Sequence, residues 1–179
     1  DPRKWIWLMR SADAGRTWSP PLNITRQCHG GDDNRYSHAS PGGGKGLQLA
    51  SGRLAVPLYS VSLDGSEAGV ALCYSDDHGA TWQLGAPAPA SQQNWAEPEV
   101  TELVGTDPTA NRTLYMTIRM DEKRPHGGRY FSTSTDGGQT WAAARPVQGP
   151  DPQAKGGVVA WPAGNGLLLS NAASCTDRV

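Results

Sequence analysis

One phenylalanine stands against seven tryptophans in this chain, and several other scarcities narrow its class. An excess of either charge is missing: sixteen Lys and Arg oppose seventeen Asp and Glu, a formal net charge of −1. That balance removes the electrostatic ground for a nucleic-acid or anionic-membrane partner. No apolar run approaches the ~18 residues of a membrane span. Cysteine is sparse and odd in number, at Cys28, Cys73 and Cys175, with no C-x-x-C pair. The four histidines show no ligand spacing, so neither a structural metal nor a cofactor is expected. Cys73 lies inside the apolar run GVALCY, where a buried free thiol is the expectation. No stretch reads as a convincing helix. Position 1 is Asp1 and not Met, so the lack of a leader peptide excludes nothing about export.

What is present is turn chemistry. Twenty-two Gly and fourteen Pro break the 179 residues into short runs rich in β-formers. The length suits one domain with a sizeable core. One phrase recurs three times, as SADAGRTW at 11–18, SDDHGATW at 75–82 and STDGGQTW at 134–141, separations of 64 and 59 residues. Each copy follows a strand-like stretch: WIWLM, GVALCY and GRYFSTS. Its Asp (Asp13, Asp77, Asp136) can accept backbone N–H groups across a turn. Its Gly (Gly15, Gly79, Gly138) can take a positive φ, and its Trp (Trp18, Trp82, Trp141) can plug the space beneath. A period near 60 residues holds about four short strands with loops, the content of one propeller blade. The runs KGLQLAS, GRLAVPLYSV and GVALCY precede the second copy; EVTELVG, RTLYMTIRM and RYFSTS precede the third. GAPAPASQQN and QGPDPQAKGG read as connectors between blades. The fold class expected is all-β, a β-propeller. Asn23-Ile-Thr25 and Asn111-Arg-Thr113 fit the glycosylation acceptor pattern, which matters only in a eukaryotic secretory protein.

The recurring phrase is the Asp box, and the chain resembles the sialidase family over essentially its whole length. The resemblance implies a six-bladed propeller with the boxes at turns joining the third and fourth strands of a blade. Residues 1–179 would then form a partial propeller domain of about three blades, ending near Trp18, Trp82 and Trp141, with the start of a further blade. Unclosed sheets would expose edges and core, so these residues alone are expected to be poorly soluble and catalytically inactive. The box carboxylates are fold-holders in this reading and not the chemistry.

The chemistry is expected from NWAEPEVTELVGTDPTANRTLYMTIRM, residues 94–120. Strand alternation puts Tyr115, Thr117 and Arg119 on one face, with Leu114, Met116 and Ile118 on the other. Glu97 and Arg119 would then end adjacent strands at one rim. The segment is similar to the family pattern Glu-x-x-Val-x-Glu-Leu, matched by Glu97, Val100, Glu102 and Leu103. In that pattern an arginine of the substrate-binding triad follows one hairpin later, which is Arg119. GLLLSNAASCTDR at 166–178 resembles the family strand LLFSNPA, with Ala172 in place of its proline, after which the family's third triad arginine follows; that position is Arg178. Asp1 sits near the register of the family's acid, the Asp shortly before the first box. SPGGGKGLQLASGRLAVPLY at 40–59 is similar to a Gly-rich entry into a blade and carries no catalytic residue. It is not a phosphate loop, since no Gly-Lys-Ser/Thr precedes a helix.

The expected substrate is a sialylated glycoconjugate, and the residue types suit it. Sialic acid bears a carboxylate on its anomeric carbon, which an arginine fork clamps through two parallel charged hydrogen bonds. That carboxylate would repel an anionic nucleophile, which explains the tyrosine that sialidases use. A phenol with pKa near 10 needs a base, the role implied for Glu97. The family's first triad arginine and its nucleophilic tyrosine have no match in the chain. Tyr36, Tyr59, Tyr74, Tyr115 and Tyr130 stand in no such motif. Two function classes follow: a retaining exo-α-sialidase, or a non-catalytic Asp-box propeller binding a glycan or protein. A third, another glycosidase on this scaffold, would want paired carboxylates in place of the arginines. The setting expected is secreted, periplasmic or lysosomal before cytoplasmic.

Overall fold

Three copies of one turn organise the molecule. Its computed structural model describes residues 5–30, 36–41, 43–62, 68–89, 95–103, 113–120, 128–149, 151, 154–161 and 166–172. In chain order the first elements are β1 (Trp7–Leu8), β2 (Leu22–Asn23), α1 (Thr25–Cys28), β3 (Tyr36–Pro41), β4 (Leu47–Gln48), β5 (Leu54–Ser62), β6 (Ala68–Ser75) and β7 (Gln83–Leu84). There follow β8 (Trp95–Glu102), β9 (Leu114–Met120), β10 (Arg129–Ser134), β11 (Arg145–Pro146), β12 (Gly157–Trp161) and β13 (Gly166–Ser170). They form four antiparallel sheets: β1 with β2; β3, β5, β6 and β7 in that order, with β4 against β5; the meander β8 to β11; and β12 with β13. The chain is an all-β, open arc of propeller blades. Each box lies between a sheet's last two strands: β1 and β2, β6 and β7, β10 and β11.

The boxes share one hydrogen-bond network. The Ser hydroxyl donates to an Asp oxygen at 2.8, 2.8 and 2.7 Å in the three copies and accepts the N–H of the box Gly. The Thr N–H and the Thr hydroxyl both donate to the same carboxylate. Side chains thus satisfy a backbone that leaves the strand ladder. Two successive residues take positive φ in each copy, 58° and 83° at Ala14–Gly15, 58° and 82° at His78–Gly79, and 70° and 88° at Gly137–Gly138. The second is always Gly, because a Cβ penalises that conformation.

Neighbouring sheets pack face to face. Trp82 is buried between the first and second sheets with Ile6, Ile24, Leu58 and Cys73. Trp141 is buried between the second and third with Val70, Leu72, Val100 and Leu114. Trp18, expected to plug its turn likewise, is 58% exposed. A box Trp packs against the preceding sheet, and among the described residues none precedes the first. Arginines stitch the sheets at the box rim. Arg10 Nη2 donates to the Gly79 carbonyl at 2.5 Å. Arg53 grips Asp76 through two nitrogens at 2.7 and 2.8 Å, donates a third bond to the Gly137 carbonyl, and lies 4.1 Å above the Tyr74 ring.

Two expectations fail together. One helical turn, α1, follows β2 where no helix was expected, and it directs Cys28 inward. There it forms a disulfide with Cys73, Cα to Cα 5.4 Å, so Cys73 is not a free thiol. The partners stand 45 residues apart in different sheets' neighbourhoods, and no local spacing announces them.

Candidate active site

The register of the third sheet fixes where its charged residues lie. Ser134 pairs with Leu114 beside the third box, whereas Arg129 pairs with Arg119, and Arg119 with Ala96, at the opposite end. Five strand steps, roughly 17 Å, separate this rim from the boxes. β8 is the inner strand of the sheet, packed against β5 and β6 on one side and β12 on the other.

A β-bulge interrupts the β8–β9 pairing between Ala96 and Glu99. Within it Glu97 has φ +45°, a conformation that costs a side-chain-bearing residue about 1–3 kcal/mol. Bulges re-aim side chains, and Pro98, which lacks an N–H, withholds one ladder bond at the same point. The result is a short ion pair: Glu97 Oε2 lies 2.7 Å from Arg119 Nε. The carboxylate side chain is 35% exposed and the arginine 11%. The pair is therefore reachable from solvent yet held by protein around the cation.

The glycine-rich segment that suggested no function supports this bulge. A Cβ on Gly44 would stand 2.6 Å from the Pro98 carbonyl oxygen. Gly43 accepts a hydrogen bond from Lys155 Nζ, tying the segment to the connector before β12. Tyr115, on the Arg119 strand, stacks on Phe131 at 5.1 Å, and burial raises its pKa. A phenol so shifted ionises less readily at neutral pH.

A second ion pair, not singled out from sequence, lies beside the first. Arg129 Nε is 2.8 Å from Asp151 Oδ2, and both side chains are 2% exposed. Arg129 Nη2 also donates to the Ala154 carbonyl at 2.6 Å. Counting back five residues from the third box would have found Arg129 opposite Arg119. Asp151, in a Pro/Gly-rich connector, carries no such signal. The connector is thus a structural member and more than a spacer. Of the other expected site residues, Asp1 and Arg178 lie outside the described residues. β13, which leads toward Arg178, ends at Ser170, whose carbonyl lies beside Gly156 and the Arg129 guanidinium at this same rim.

Fold and boxes define the class: a segment of an Asp-box β-propeller whose charged rim lies opposite its box turns. The family model for the BNR repeat-like domain matches residues 2–178, and the chain belongs to the sialidase BNR-repeat family. Sialidase-4 of Homo sapiens is 32% identical over 170 residues, 88% of this chain and 34% of that protein. The anhydrosialidase of Macrobdella decora is 30% identical over 152 residues, 83% of this chain and 18% of that one. The solved structure of Hadza microbial sialidase Hz136 matches with a TM-score of 0.78 at 28% identity, covering 97% of this chain and 32% of its own. The chain spans about a third of the length of Sialidase-4 and of Hz136.

Proposed function

We propose that this chain supplies part of the active site of a retaining exo-α-sialidase that releases terminal sialic acids from glycoconjugates. Arg119 clamps the substrate carboxylate, with Arg178 as a second clamp. Glu97 is the base that takes the proton of a tyrosine nucleophile contributed from elsewhere in the polypeptide, and Asp1 is the acid that protonates the leaving oxygen. The carrying observation is the 2.7 Å contact between Glu97 and Arg119, imposed by a bulge at an exposed rim. A carboxylate there serves two ends: it neutralises the arginine until substrate arrives, and it offers an acceptor for a phenolic proton. The group beside Glu97 is a cation, not a second carboxylate, which disfavours an ordinary two-acid glycosidase.

The test uses the full-length polypeptide and an aryl α-sialoside. Glu97→Gln lowers kcat by about 10²–10⁴-fold, the usual range for a lost general base. Arg119→Ala acts mainly by raising KM. Proton NMR during turnover shows the α-anomer of sialic acid first. Near-wild-type hydrolysis by both variants removes the site assignment, and a β-anomer first removes the tyrosyl mechanism. Binding of the sialoside without release of sialic acid would establish a non-catalytic propeller in its place.

A further inference from the structure

Arg119 and Arg129 are directly opposed across β9 and β10, so their side chains leave the same face of the sheet. Like charges so placed repel, and each is paired with a different carboxylate. Glu97, one strand inward on β8, takes Arg119. Asp151, on the connector beyond β11, takes Arg129. Among the described residues the two opposed arginines are thus each matched by one carboxylate, Glu97 for Arg119 and Asp151 for Arg129. The two pairs differ in accessibility: the inner one meets solvent, while the outer one is 2% exposed on both sides. Arg129 has no room to wander. A Cβ on Gly156 would stand 2.7 Å from its Cζ, and the Ala154 carbonyl holds Nη2 at 2.6 Å.

We propose that Arg129 is a positioning residue for Arg119, and that Asp151 makes it one. Held on the connector by Asp151 and the Ala154 carbonyl, Arg129 leaves Glu97 to Arg119 and keeps that guanidinium beside the inner strand, where it would meet a substrate carboxylate. Without the Asp151 charge, Arg129 becomes a second cation competing for Glu97, and Arg119 loses its fixed orientation. The substrate role rests on the sialidase reading; the positioning itself does not.

The decisive variants, made in the full-length polypeptide, are Asp151→Asn and Arg129→Lys. The lysine keeps the charge but cannot bridge Asp151 and the Ala154 carbonyl with a fork. Each raises KM for an α-sialoside about tenfold, with kcat within about threefold, the scale expected for a misplaced binding group. Neither raises KM further in an Arg119→Ala background. A purely structural role instead lowers active fraction and melting temperature, leaves KM unchanged, and adds fully to Arg119→Ala; that result overturns the proposal. The crystallographic readout is independent of activity: in either variant Arg119 Nε moves away from Glu97. Retention of the 2.7 Å contact in a folded variant overturns the proposal as well. A wild-type protein that cleaves no sialoside would defeat the proposed function alone, and the crystal structures would still decide the role of Arg129. Should Asp151→Asn fail to fold, Arg129→Lys carries the test.

Discussion

Asp13, Asp77 and Asp136 show what one carboxylate per turn accomplishes. In Asp13 the Thr17 hydroxyl, the Thr17 N–H and the Ser11 hydroxyl all donate to the anion and lower its pKa to about 2. Thr81 and Ser75 do the same for Asp77, also to about 2. At Asp136 burial pushes the other way, but the Thr140 and Ser134 bonds outweigh it, and the carboxyl again falls to about 2. A folded-state pKa below the unfolded value of about 3.9 means that the unfolded chain binds more protons in between. The contribution to stability is therefore complete above about pH 5 and is lost as pH falls through 4 toward 2. Thermal melts from pH 6 to pH 2.5 should show this decline. Asp77→Asn should melt lower at pH 6 yet fall less steeply with acid, because the amide cannot accept the second Thr81 bond while using its nitrogen side. An unchanged pH slope in that variant would show that the box carboxylates do not govern acid stability.

Elements divide into those whose reasons are local and those whose reasons are not. The strands β5, β6, β8, β9 and β10 were legible because each is a β-forming run stopped by turn residues. The boxes were legible because their hydrogen bonds close within eight residues. Glu97 and Arg119 were read as neighbours from the hairpin alone, whereas the bulge that turns Glu97 was hidden, since its support comes from Gly44 some fifty residues earlier. Gly44→Ala places a methyl against the Pro98 carbonyl and should cost at least about tenfold in kcat/KM through displacement of Glu97, with circular dichroism unchanged. Full activity in that variant would mean that the bulge tolerates the shift. The disulfide was hidden for the same reason, as its halves lie in α1 and β6. Closing a loop with a separation of 45 residues is worth about 4 kcal/mol in the chain-entropy model, so Cys28→Ser with Cys73→Ser should lower the unfolding free energy by about 2–4 kcal/mol. A loss below about 1 kcal/mol in denaturant titrations would show that packing around the pair, not the crosslink, holds α1 in place.

At the scale of the whole molecule, the two inner sheets have neighbouring sheets on both faces, and among the described residues the two outer ones do not. Trp5, Trp7, Met9 and Trp18 stand exposed on or beside the first sheet, and Val159, Trp161 and Leu168 on one face of the fourth. Large apolar side chains gathered in this way mark surfaces that take a partner, and two-stranded sheets add unpaired edges. In a propeller the natural cover for each such face is another blade, and Sialidase-4 and Hz136 are each about three times as long as this chain. The 179 residues expressed alone should consequently associate through these faces, bind a hydrophobic dye and hydrolyse no sialoside. Sedimentation at several concentrations would show species larger than 19.0 kDa. Replacing Trp7, Trp18, Trp161 and Leu168 by polar residues should reduce association without restoring hydrolysis, since the proposed mechanism also calls for a tyrosine and an arginine that no motif of this chain supplies. A cooperative 19.0 kDa monomer that cleaves substrate would show that the arc is self-sufficient and that the exposed faces need no further blades.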